Sequence, residues 1–107
     1  MRELCIYDKY CYSLPLPVYK QCIWILRDVD RLTELAGAGY DAPDVQLAKM
    51  RVNAYNAAIE LVPSEYRGGI MRNIIEGEAF DASASLNTWK RWKKTLVYTL
   101  ARNLSLY

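Results

Sequence analysis

Of the side chains that do chemistry, one type is missing altogether: the 107-residue chain has no histidine. That removes a Ser-His-Asp triad, a Cys-His pair and any His-ligated zinc or iron site. The three cysteines, Cys5, Cys11 and Cys22, form an odd set without CxxC spacing. They are expected as reduced, small apolar residues rather than redox or metal groups. Glu76, Glu78 and Asp81 lie close together, but at no spacing that matches a known metal loop. No GxGxxG or GxxxxGKS/T stretch offers a phosphate cradle. The chain is therefore expected not to be an enzyme, and to use neither cofactor nor metal.

What remains is charge. The formal net charge of +2 conceals an asymmetry: residues 1–62 hold seven Lys/Arg against eight Asp/Glu, and residues 63–107 hold seven against four. Within the second part, 82–107 carries Lys90, Arg91, Lys93, Lys94 and Arg102 and not one acid. A local field of that sign suits a polyanion. Phosphates bind Lys and Arg, and polar side chains near a helix start reach base edges, so double-stranded DNA is the expected partner. The competing readings are a solvated or protein-contacting face, and a membrane surface. The last wants bulky apolar residues free to enter lipid, whereas here they are needed to close a small core. A second group, Lys20, Trp24, Arg27 and Arg31, shares one side of an earlier helix. Trp24 is there either covered by the N-terminal arm or exposed as an anchor for a partner.

These residues need a scaffold. The length fits one domain, and 52 % apolar with 24 % charged residues is an ordinary globular composition. No uncharged apolar run of about 18 residues exists to span a membrane. The start carries Glu3 and Asp8 without an apolar stretch resembling a signal peptide, which predicts a cytoplasmic protein. Residues 1–16 are expected as an extended arm that ends at Leu14-Pro15-Leu16-Pro17. From Pro17, Val18, Cys22, Ile25, Val29, Leu32 and Ala36 recur at helical spacing, predicting one helix closed by a left-handed turn at Gly37-Ala38-Gly39.

A second helix should start near Asp44, after Pro43, and stop at Pro63, giving a two-helix scaffold over 17–62. Its two apolar stripes, Val45, Ala48, Val52, Tyr55, Ile59 and Val62 against Leu47, Met50, Ala54, Ala58 and Leu61, predict a central buried helix or one side kept for a partner. A third helix should be capped by Ser64 and end at Gly77. Gly68-Gly69 inside it costs about 1 kcal/mol per glycine, which is tolerable if another backbone approaches closely. Phe80, in the loop 78–85, is expected to plug the core. The last helix starts near Ser85. Its apolar side holds Trp89, Trp92, Leu96, Leu100 and Leu104, and its polar side Lys90, Arg91, Lys94, Tyr98 and Arg102, with Lys93 at the border. The predicted fold is all-α: one bundle of about four helices.

Several stretches also resemble a known group of proteins: Leu14-Pro15-Leu16-Pro17-Val18-Tyr19-Lys20, Trp24-Ile25-Leu26-Arg27-Asp28, the run from Ala58 to Arg67, and Gly69-Ile70-Met71-Arg72-Asn73-Ile74-Ile75. Thr88-Trp89-Lys90-Arg91-Trp92-Lys93 and Ala101-Arg102-Asn103-Leu104 complete the pattern. Together they look like small proteins from phages and mobile elements of Gram-positive bacteria, described as transcriptional regulators related to region 4 of sigma-70 factors or as late-gene activators. The resemblance implies a helix-turn-helix-like unit over 64–107 whose last helix recognises promoter-type DNA. Asn87, Thr88, Lys90, Arg91 and Lys94 would then face the duplex, and Arg102, on the charge pattern alone, is expected to add a phosphate contact. It also implies that the arm and first helix meet RNA polymerase or a second copy of the chain. Two alternatives stand beside this: a protein-interaction module that does not bind DNA, and a phage packaging protein that binds DNA without regulating transcription.

Overall fold

A computed structural model describes residues 14–107, so Cys5, Cys11 and nearly all of the expected arm lie outside the described residues. The rest forms α1 (Leu16–Arg27), α2 (Val29–Ala36), α3 (Pro43–Ile59), α4 (Ser64–Glu76) and α5 (Leu86–Asn103). Among the described residues, no helix is long and apolar enough to cross a membrane.

The single helix expected over 17–36 is two. The break falls at Asp28 (φ −105°, ψ 9°), whose N–H donates to the Ile25 carbonyl at 3.1 Å. The apolar stripe passes the break without a change of spacing, but each half meets different neighbours. Cys22, Ile25 and Leu26 are buried in α1, which packs on α4 and α5, while Val29 and Leu32 are buried in α2, which packs on α3. Cys22 has no exposure at all, and burial pushes its thiol up to about 11. Gly37 closes α2 at φ −85°, its N–H shared between the Thr33 and Glu34 carbonyls, so the left-handed turn expected there does not form. Gly77 does adopt the left-handed conformation (φ 72°) and ends α4 as its position predicted.

Pro43 opens α3 in the first turn, where its missing N–H costs nothing. The expectation of two buried sides is met only in part. Val45, Ala48, Ala54 and Ala58 are buried, with Val62 just beyond the helix, but Leu47, Met50 and Leu61 are exposed. The central position belongs instead to α5, which packs against α1, α3 and α4.

Pro63, not Ser64, is the residue before α4, and no side chain caps that end. Ile70 and Ile74 face the core, with Tyr66 and Met71 partly buried beside them. The close approach anticipated at the glycine pair exists, but the neighbour is a side chain: a Cβ on Gly69 would lie 2.7 Å from the Trp89 indole. Trp89 is 3 % exposed. It stacks on Phe80 (5.2 Å, 5°), meets Tyr66 edge-on (5.0 Å, 89°) and donates from Nε1 to the Asp81 carbonyl at 3.2 Å. Such aromatic pairs add ~0.5–1.5 kcal/mol each beyond area burial. This cluster fixes the start of α5 against α4. Ser85 completes the start, its Oγ accepting the Thr88 N–H at 3.2 Å.

Candidate nucleic-acid interface

Because α5 has neighbours on three sides, its buried arc is wider than the apolar residues alone predict. Lys94 falls within that arc and is only 7 % exposed, so it does not join the solvent face where the sequence placed it. Its long aliphatic stem is what lets a lysine occupy such a position. Thr88 is half-buried and tied into the helix cap, its hydroxyl 2.9 Å from that of Ser85. The exposed side consists of Asn87, Lys90, Arg91 and Arg102, with Tyr98 half-buried among them. Arg91 and Arg102, three turns apart, share one side of the helix about 17 Å from each other along its axis.

Local contacts set the posture of these cations. The Arg91 guanidinium lies 5.6 Å from the centre of the Trp92 ring, a cation–π contact that holds it against the surface. Trp92, expected inside, is only partly buried and stacks on Tyr66 at 6.3 Å. Arg102 donates from Nη1 to the Tyr107 carbonyl at 3.2 Å, which among the described residues leaves most of its donors open.

The four residues of the earlier group divide. Arg31 is held by Asp28, with Nε 2.9 Å from Oδ1, and this hydrogen bond keeps the Asp28 carboxyl below its usual range. Lys20, Trp24 and Arg27 instead flank a cleft between α1, α4 and α5, and Trp24 is 66 % exposed. Arg27 stands 5.5 Å from the Trp24 ring and donates from Nε to the Ile74 carbonyl at 2.9 Å. Lys93, the border residue of the sequence, reaches the same cleft and donates to Asn73 Oδ1 at 2.7 Å. Burial, and then the Arg27 charge, hold its ammonium below the usual lysine range. Lys93 and Asn73 are the residues that sequence reasoning missed. Lys20, Trp24 and Arg27 announce one side of a helix, but no spacing announces a partner more than sixty residues away.

The acids near the α4–α5 connection serve the loop. Asp81 accepts from the Ser83 N–H at 2.8 Å, and Glu78 lies 3.7 Å from Arg72. The connection itself spans residues 77–85, longer than the three or four residues of a helix-turn-helix turn. α4 and α5 pack on each other across this loop, whose Phe80 lies against Trp89. The chain matches no protein-family model, no curated protein and no solved structure.

Proposed function

We propose that the chain is a DNA-binding regulator of transcription from a phage or mobile element, and that duplex DNA lies along the outer side of α5. One observation carries this reading: Lys90, Arg91 and Arg102 stand exposed on a helix with no carboxylate anywhere over 82–107. A solvated face normally mixes signs, and this one does not. Asn87 supports it by standing exposed in the first turn, where a side chain can reach a base edge. The family resemblance supplies the regulatory role, with RNA polymerase as the second partner, and α4 serves as the scaffold for α5.

A mobility-shift titration at about 50 mM salt tests this. The chain should bind duplex DNA, with a preference for the promoter region of its own element. Lys90→Ala and Arg91→Ala should each weaken binding, while Asn87→Ala should flatten the preference among sequences by ~1–3 kcal/mol. Absence of any shift with any duplex overturns the reading. A second reading, a protein-interaction module, is favoured by a groove of about 380 Å³ beside α1, α2 and α3, lined in part by the exposed apolar side chains of Trp24, Leu47 and Met50. It becomes the better account if no duplex binds.

A further inference from the structure

The cleft between α1, α4 and α5 has a volume of about 370 Å³, within the ~300–1,000 Å³ typical of small-molecule sites. Three of its lining residues are cationic, Lys20, Arg27 and Lys93, and none of the described lining residues is acidic. Arg27 and Lys93 are anchored to consecutive residues of the last turn of α4, Ile74 and Asn73, so their charged heads converge on one end of the cleft. The α4 carbonyls account for part of this attraction, but only for part. Among the described residues, each cation uses a single donor in its anchoring bond, leaving further N–H groups of both the guanidinium and the ammonium uncommitted there. Lys93 also pays for its place, since it is half-buried beside a second cation and its charged form is disfavoured there. A fold that wanted only to close this surface would be better served by an apolar side chain. Beside the cations, the exposed Trp24 indole lines the same cleft as a flat aromatic platform.

We propose that this cleft binds a nucleotide, its phosphate held between Arg27 and Lys93 with Lys20 nearby, and its base against Trp24. Charge-assisted N–H bonds to phosphate are the strong class of hydrogen bond, and guanidinium and ammonium groups are the residues that make them. Base-on-indole stacking adds affinity without requiring a particular base. The ligand is either a free mononucleotide or a nucleotide of a strand that reaches the cleft. The inference does not depend on the outer side of α5, because none of Asn87, Lys90, Arg91 and Arg102 lines the cleft.

Thermal melting of the full chain with deoxyadenosine monophosphate, adenosine, inorganic phosphate and a short single strand tests it. The monophosphate should raise the wild-type melting temperature, because a ligand that binds only the native state stabilises it. Adenosine, which lacks the phosphate, should not. Lys93→Met should melt no lower than wild type without ligand, yet lose about ten-fold or more in affinity for the monophosphate. Lys93→Arg should retain it, and Trp24→Ala should weaken the monophosphate while leaving the response to inorganic phosphate intact. If the strand protects and the free nucleotide does not, with the same sensitivity to Lys93→Met, the ligand is a strand nucleotide. No protection by either, or equal protection of wild type and Lys93→Met, overturns the proposal. Lys90→Ala with Arg91→Ala, which should abolish duplex binding along α5, should leave the monophosphate response unchanged, so the two readings fail separately.

Discussion

Two adjacent glycines show how strongly a side chain's fate depends on what stands opposite it. In the sequence, Gly68 and Gly69 are equivalent interruptions of a helix, each less favourable than alanine by about 1 kcal/mol. In the fold they are opposites. A Cβ on Gly68 would come 3.2 Å from Nη1 of Arg72, the far end of a flexible side chain, whereas on Gly69 it would come 2.7 Å from the rigid Trp89 indole. Gly68→Ala should therefore stabilise the protein, by up to about 1 kcal/mol. Gly69→Ala should destabilise it by ~1–3 kcal/mol in spite of the better helix propensity, because Trp89 is wedged between Phe80 and Tyr66 and has little freedom to retreat. Denaturant unfolding of the two variants checks the opposite signs. A gain in stability for Gly69→Ala would mean that the indole is not seated on the α4 backbone. The sequence announced that something approaches this glycine pair, but it could not say that the visitor is a tryptophan.

At the level of elements, what was legible followed from local chemistry. Pro43 at the start of α3, Gly77 at the end of α4 and Ser85 at the start of α5 act through their own backbone or the next few residues, and each stands where the sequence put it. What was not legible depends on neighbours far along the chain. The stripe through Val18, Cys22, Ile25, Val29 and Leu32 keeps helical spacing across Asp28, so nothing local distinguishes one helix from two. Lys94 likewise has the look of a solvent residue until α1, α3 and α4 close around α5. The break at Asp28 carries its own prediction. Its carboxyl is held below the usual range chiefly by the hydrogen bond from Arg31, so the pair's contribution to stability is present above the unfolded aspartate pKa of about 3.9 and is lost as pH falls through the lower folded value. Arg31→Ala should lower the melting temperature slightly at pH 7, the effect being small because both groups are exposed. The difference from wild type should shrink as pH falls below the unfolded value and vanish once the carboxyl is protonated in both states. A difference that persists in acid would mean that Arg31 stabilises the α1–α2 junction by packing rather than by charge.

At the scale of the whole molecule, the cations of the α5 surface and those of the cleft form two separate sets that a count of residues merges. Lys90, Arg91 and Arg102 are exposed along α5, Lys20, Arg27 and Lys93 surround the cleft, and Lys94 lies inside. Counterion release makes this division measurable, since log K for duplex binding falls with log salt at about −0.9 per neutralised phosphate. If duplex DNA meets only the outer side of α5, three cations give a slope near −2.7, a loss of about 40-fold between 50 and 200 mM salt. If the same duplex also reaches the cleft, six cations give a slope near −5.4 and a loss on the order of 2,000-fold over that range. Lys93→Met separates the two at once: it should leave the shallow slope untouched and should reduce the steep one by about 0.9. The expected result is the shallow slope, because two of the cleft's cations, Arg27 and Lys93, are bound to the end of α4 rather than displayed on the outer side of α5. A salt titration of duplex binding, by fluorescence anisotropy on wild type and Lys93→Met, reads the slopes directly. A slope close to zero in both would show that the acid-free helix meets no phosphate, and the surface would then have to be assigned to a protein partner.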